Sequence, residues 1–115
     1  MTKVGENNLP PKQNTEETIR KSIETSALRF ENALASYQNT TDANDRIRLK
    51  GVMDDSLKLI NQAISGIKQQ TGMGKQQEKV QGDYKKFIAS GSDQDFAALE
   101  HDIQTLRDYN RDIKH

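Results

Sequence analysis

The segment 71–75, Thr-Gly-Met-Gly-Lys, contains the glycines and the lysine of a phosphate-binding loop. The full Walker pattern also requires a glycine five residues before the second of these glycines and a serine or threonine after the lysine. This chain has Gln69 and Gln76 at those positions, and a helical pattern precedes the segment where the loop would follow a strand. We interpret the segment as a helix stop, and we predict no nucleotide and no other cofactor.

The two histidines, His101 and His115, are the first residues to test as metal ligands. His101 lies between Glu100 and Asp102, but consecutive side chains of a helix point in different directions. Thr105, four residues after His101, is a poor partner for a metal site. The chain has no cysteine, which excludes disulfides and thiolate ligands. We therefore predict no metal site.

Asp54 and Asp55 are adjacent carboxylates in a stretch with a helical pattern. They project about 100° apart on a helix, so they do not converge as an acid and base pair. Asp54 and Lys58 instead have the four-residue spacing of a surface ion pair. Nucleophilic catalysis requires a nucleophile and a base poised together in a pocket, and no such arrangement is evident. We predict no catalytic residues and no enzymatic activity.

The composition favours a single small domain with a thin core. The chain has 115 residues, of which 32% are apolar and 5% aromatic. Even with its seven glycines added, the apolar fraction stays below the roughly 45–50% of ordinary globular chains. Two outcomes are open: part of the chain stays disordered, or a second subunit or a partner completes the core.

The charge balance argues against a dedicated nucleic-acid binder. Seventeen basic residues face seventeen acidic ones, whereas phosphate recognition usually brings a basic excess. No run of about 18 apolar residues predicts a membrane span. The first residues also lack the apolar core of a signal peptide. We expect a cytoplasmic protein, and a protein exported without a cleaved signal would share these features.

Apolar periodicity predicts an all-α fold. Residues 1–14 are polar and contain two consecutive prolines, which predicts a disordered tail ahead of one helical domain at 15–115. The predicted helices span residues 15–38, 42–70, 75–90 and 93–113. Their short connections predict two consecutive antiparallel hairpins that form a small bundle of about four helices. The first helix is expected to start at Thr15, whose type suits an N-cap.

Each predicted helix carries an apolar stripe at spacings of three and four residues, as an amphipathic helix requires. The first stripe contains Ile23, Ala27, Phe30, Leu34 and Tyr37. The second contains Met53, Leu57, Ile60, Ile64 and Ile67, within a dense apolar stretch that also includes Ile47. The third contains Val80, Tyr84, Phe87 and Ile88.

The fourth helix carries a short heptad pattern, which favours helix association. Its predicted interaction face contains Leu99, Ile103, Leu106, Asn110 and Ile113. A polar Asn110 at a heptad a position is typical of residues that set register in coiled coils. The alternative is a plain amphipathic helix with Asn110 at its solvent-exposed end.

These features favour a non-enzymatic protein–protein interaction module that acts through amphipathic helix faces, with a partner protein or a second copy as its target. One alternative is a bacterial secretion-system accessory or a secreted helical protein with a flexible N-terminal tail, a role suggested by analogy of type alone. A second alternative is a helix-turn-helix regulator of DNA. Its third helix would offer polar and basic side chains to the duplex: Gln76, Gln77, Lys79 and Lys85.

Overall fold

The computed structural model describes residues 16–67 and 72–112, and within these ranges the chain forms four helices and no strand. We number them α1 (Glu16–Asn39), α2 (Ala43–Ser65), α3 (Met73–Ser90) and α4 (Asp93–Asp112). The all-α prediction is confirmed. The predicted tail at 1–14, the predicted cap Thr15 and the last predicted interface residue, Ile113, lie outside the described residues.

The helices form a ring in which each packs against two neighbours. α1 packs against α2 and α3 against α4, which confirms the two predicted hairpins. α1 also packs against α4, and α2 packs against α3. Each helix of one hairpin thus packs against one helix of the other. The closure of the ring turns two hairpins into one bundle, and it places α1 diagonally across from α3.

Local signals in the sequence set the starts and ends of the helices. The Asp42 carboxylate accepts a hydrogen bond from the Asp45 N–H at 3.0 Å, which caps α2. Gly91 ends α3 with a φ of 65°, as its type predicts, and donates its N–H to the Phe87 carbonyl. The Ser92 hydroxyl accepts from the Asp95 N–H at 3.1 Å and starts α4.

The link between the hairpins differs from its prediction. α2 ends at Ser65 and not at residue 70, with Gly66 as its C-cap. A Cβ atom at Gly66 would lie 3.2 Å from the Ile19 side chain, so a glycine here allows α1 to approach closely. α3 begins at Met73, two residues before its predicted start, after Gly72 at a φ of 90°.

The predicted stripes form the core. Met73 joins them as a fully buried residue, although the sequence placed it in a helix stop. Ile47 lies outside the core, with 72% of its surface exposed. The buried apolar residues are Ile23, Ala27, Phe30, Ala33, Leu34, Leu49, Met53, Leu57, Ile60, Ile64, Ile67, Met73, Val80, Tyr84, Phe87, Leu99, Ile103 and Leu106.

Aromatic rings connect the hairpins across the bundle. Phe30 of α1 contacts Tyr84 of the diagonal helix α3 edge to face, with ring centroids 5.7 Å apart. Tyr37 contacts Phe87 in the same way at 5.7 Å, and Phe87 also meets Phe96 of α4 at 5.9 Å. Such pairs contribute about 0.5–1.5 kcal/mol beyond their burial. Two of these ring pairs, Phe30–Tyr84 and Tyr37–Phe87, thus join the two hairpins.

An ion-pair network joins α1 to α4. The Arg107 guanidinium donates to Glu24 at 2.8 Å and to Glu31 at 3.1 Å, and its side chain is 17% exposed. Arg111 adds a second contact to Glu24 at 3.1 Å. Partial burial alone would raise the pKa of Glu24, but the hydrogen bonds and charges of both arginines lower it below its ordinary value of 4.5.

The lowered pKa of Glu24 predicts a loss of stability in acid. A carboxylate with a depressed pKa in the folded state stabilises the fold above its unfolded pKa, and the contribution disappears as pH falls through the folded value. We expect Glu24→Gln to cost about 1 kcal/mol or less at pH 7. The loss should shrink as pH falls from about 5 to about 3 in denaturant unfolding.

Glu78→Gln is the matched control, because Glu78 is exposed and forms no salt bridge within the described part of the chain. Its effect on the free energy of unfolding should be small at both ends of the pH range. A Glu24→Gln variant with the same pH dependence as the wild type would contradict a role for this ion pair.

Candidate functional site

A groove of about 570 Å³ lies between α2 and α3. The backbones of these two helices lie close together over a shorter stretch than in the other three neighbouring pairs, which leaves space between them. Residues at spacings of three and four form each wall, because such positions share one side of a helix. The lining residues are Lys50, Asp54, Leu57, Lys58 and Asn61 of α2, and Gln81, Tyr84, Lys85, Ile88 and Ala89 of α3.

The inner part of the groove is apolar. Leu57 and Tyr84 belong to the core and reach the groove with only 5% and 8% of their surface exposed. Ile88 is partly buried and Ala89 is exposed beside them. Ile47 lies seven residues before Asp54, two turns away on the same side of α2, and its exposed side chain lies beyond the groove lining.

A hydrogen-bonded group fixes one end of the groove. The Tyr84 hydroxyl donates to Asp54 Oδ1 at 2.5 Å, and Lys50 Nζ lies 3.1 Å from Asp54 Oδ2. Burial first, and then the hydrogen bond to Asp54 and its negative charge, raise the pKa of Tyr84. The phenol therefore stays protonated at physiological pH. It acts as a fixed donor and not as an acid or a base.

The rim of the groove is basic. Lys50, Lys58 and Lys85 line it against the single carboxylate of Asp54. Lys50 is paired with that carboxylate, whereas Lys58 and Lys85 form no salt bridge within the described ranges. Both oxygens of Asp54 already have a hydrogen-bond partner. Lys58 and Lys85 are therefore the charged side chains of the rim that have no salt bridge among the described residues.

The charge of the rim is part of a larger asymmetry. α2 and α3 together carry eight basic and five acidic side chains. α1 and α4 carry five basic and ten acidic ones. The protein has no net charge, but the groove lies on its basic half.

A second cleft, of about 600 Å³, lies between α1 and α4. The Asn110 amide donates to the Arg20 carbonyl at 2.9 Å, which ties the two helices together. Polar and charged side chains line this cleft throughout: Glu16, Glu17, Arg20, Lys21, Glu24, Asn110 and Arg111. None of these lining residues has an apolar side chain. Its groups instead hold α4 on α1.

The predicted interaction face of α4 lies inside the bundle. Leu99, Ile103 and Leu106 have no exposed surface, and Asn110 is only 3% exposed. Asn110 is therefore not at a solvent-exposed end of the helix, in contrast to one of the two alternatives from the sequence. Ile113 lies outside the described residues. A second copy reaches the buried residues only if the bundle opens, and association through this face stays a prediction.

The residues considered for DNA recognition are partly committed to packing. Gln76 is buried and donates to the Asp102 carbonyl at 2.8 Å, while Gln77 is buried and donates to the Leu57 carbonyl at 3.3 Å. Lys79 lies 3.8 Å from the Asp102 carboxylate. The two glutamines bridge neighbouring helices and are not available to base edges in this fold.

Among the described residues, those considered for catalysis and metal binding do not come together, and His115 lies outside the described ranges. Asp55 is exposed and Asp54 faces the groove, as their different directions on a helix predict. His101 is exposed on α4. Across residues 16–67 and 72–112, no group of three or more metal-binding side chains is close enough to hold an ion.

Sequence reasoning missed the groove because it assigned each lining residue to a separate role. Tyr84 counted as core and Asp54 as a solvated face. One signal was present: Ile88 directly follows Phe87 in the stripe, so the apolar surface of α3 is wider than one stripe. The exposure of Ile47 was not evident from its type.

None of the helices in the described ranges combines the length and apolar character that a membrane crossing requires. Comparison of the chain with protein-family models, curated protein sequences and solved structures finds no match.

We expect Tyr84→Phe to lower the free energy of unfolding by about 1 kcal/mol, because it removes the hydrogen bond to Asp54 and keeps the ring contact with Phe30. Tyr109→Phe is the control, since Tyr109 is 37% exposed and its hydroxyl has no hydrogen bond among the described residues. Urea unfolding of both variants measures the difference. Equal losses in the two would contradict the assigned bond.

Proposed function

We propose that this chain is a non-enzymatic interaction module that receives a helical segment of a partner protein in the groove between α2 and α3. The observation that carries the proposal is an open groove with Leu57, Tyr84 and Ile88 in its lining, together with Ile47, a large side chain that is 72% exposed two turns before Asp54 on the same side of α2. A helix that lays its apolar side into a hydrophobic groove is a recurring mode of recognition.

The size of the groove suits a short helix. Its wall on α2 runs from Lys50 to Asn61, which is about 17 Å at the rise of an α-helix. A partner helix of about three turns would cover this length. Burial of the Ile47 side chain alone would contribute about 1.5–3 kcal/mol. The groove can therefore hold a helix through a few apolar contacts.

The groove is also preorganised for binding. Tyr84 is held by its ring contact with Phe30 and by its bond to Asp54. Leu57 is held in the core. A partner would meet side chains that are already ordered, so little conformational entropy is lost on the receiving side.

We favour a partner protein over a second copy. The stripes that the sequence offered for self-association are already buried within one chain, including all of Leu99, Ile103 and Leu106. Light scattering over a range of concentrations tests this choice. A mass that rises with concentration in the wild type, but not in an Ile47→Ser variant, would assign the groove to a second copy.

The direct test is site-specific photocrosslinking in the producing cells. A photoreactive residue at Ala89, inside the groove, should crosslink to a partner, whereas the same residue at the exposed Ala35 of α1 should not. Mass spectrometry of the crosslink then identifies the contacted segment, which we expect to be an amphipathic helix.

The affinity of that segment, made as a synthetic peptide, is then measured by calorimetry. Ile47→Ser should weaken binding about tenfold or more, because the variant loses apolar burial worth more than about 1.4 kcal/mol. Leu59→Ser is the matched control: Leu59 is 42% exposed on the same helix and does not line the groove. Equal crosslinking from Ala89 and Ala35, or equal affinity in both serine variants, would contradict the proposed function.

A further inference from the structure

We infer that the helix bound in the α2–α3 groove is acidic, with aspartate or glutamate on both edges of its apolar side. This inference rests on the proposed function, and it adds the chemistry that selects the partner. It follows from the three lysines of the rim, from the state of the single carboxylate among them, and from the charge of the surrounding surface.

The rim offers cations that lack partners. Lys58 and Lys85 line the groove, are exposed, and form no salt bridge within the described part of the chain. An ammonium group on a flexible stem can move to meet a carboxylate on a docked helix. Each such pair adds little affinity at the exposed rim, but it contributes to specificity and to the rate of association.

Asp54 does not repel an acidic ligand as a free carboxylate would. Its Oδ1 accepts from the Tyr84 hydroxyl at 2.5 Å, and its Oδ2 lies 3.1 Å from Lys50 Nζ. The positive charge of Lys50 largely balances the negative charge of Asp54. The net charge of the lining residues is therefore positive, with three lysines against one aspartate.

The positions of the lysines predict where the acidic residues lie. The Tyr84 hydroxyl is 3.4 Å from the Lys50 carbonyl, so the neighbouring Lys85 lies at the level of Lys50 on the opposite wall. Lys58 is eight residues further along α2, about 12 Å away. Since Lys50 is paired with Asp54, a matching helix carries an acidic residue opposite Lys85 on the α3 edge and another opposite Lys58 on the α2 edge, about two turns later.

The distribution of charge over the whole bundle also favours an acidic helix. The groove lies on the half formed by α2 and α3, which has an excess of three basic side chains, whereas α1 and α4 have an excess of five acidic ones. An acidic segment is steered toward the groove and away from the opposite half. A basic helix meets like charges at the rim, which disfavours it even if its apolar side fits.

The test uses three designed helical peptides of about 15 residues with the same apolar side. Their edge positions carry glutamate, glutamine or lysine. We expect the glutamate peptide to bind the wild type about tenfold more tightly than the lysine peptide in low salt, as measured by fluorescence anisotropy. The preference should decrease in about 0.5 M salt, because exposed charges are then screened.

Charge reversal at the rim should invert the preference. A Lys58→Glu, Lys85→Glu double variant should bind the lysine peptide more tightly than the glutamate peptide. The control is Lys75→Glu with Lys86→Glu, which makes the same change in net charge on exposed α3 lysines outside the groove. The control should keep the wild-type preference, and circular dichroism verifies that both variants are folded.

The results distinguish a failure of the acidic preference from a failure of the proposed binding in the groove. Equal affinities for the three peptides, together with weaker binding to Ile47→Ser than to Leu59→Ser, would overturn the acidic inference and leave the groove as a helix site. A glutamate peptide that binds Ile47→Ser and Leu59→Ser equally well would place binding elsewhere on the basic half and overturn the proposed function. No binding of any peptide would count against both.

Discussion

Tyr84 is the side chain on which both the core and the groove depend. Its ring packs edge to face on Phe30 of the diagonal helix, and its hydroxyl bonds to Asp54 at the surface. The ring keeps the two hairpins together, while the hydroxyl holds the polar edge of α2 in place. A phenylalanine would also place a ring in the core, but only a tyrosine adds the hydroxyl that bonds to Asp54 beside the groove.

The hairpins meet along two seams, one between α1 and α4 and the other between α2 and α3. Different interactions hold each seam together. α1 and α4 are joined by Arg107, which binds two glutamates, and by the buried amide of Asn110. Within the described ranges, α2 and α3 are joined by single hydrogen bonds, from Tyr84 to Asp54 and from Gln77 to the Leu57 carbonyl, and no ion pair links them. The first seam is therefore closed by charged and polar side chains that bond across it, and the second leaves apolar surface beside lysines that form no salt bridge within the described ranges. This difference is why we propose the second seam, and not the first, as the partner site.

Polar residues complete a core for which the chain has few apolar side chains. Gln76 and Gln77 are both buried, and each donates to a main-chain carbonyl of a neighbouring helix. Main-chain carbonyls in a helix can accept a second hydrogen bond, so a glutamine can cross between helices without leaving its amide nitrogen unsatisfied. The low apolar fraction of the sequence therefore does not require a second subunit to fill the bundle.

The sequence by itself determined the helices, their apolar stripes and the hairpins, because these depend on spacing along the chain and on local caps such as Asp42 and Gly91. Local patterns failed where the outcome depended on which helix lies opposite. Met73 is buried although the sequence placed it in a helix stop, and Ile47 is exposed although it belongs to the densest apolar stretch. For Asn110 the sequence left an interface position and a solvent-exposed end open, and the residue is buried.

Only the tertiary structure decided how the helices form a ring, and with it the groove between α2 and α3. The side of α2 that carries Lys50 and Asp54 is polar in the sequence, and its proximity to Tyr84 follows from the antiparallel packing of two helices that are not neighbours in a hairpin. Periodicity specifies which side of a helix is apolar. It does not specify how closely two helices pack, because that distance depends on side chains from both.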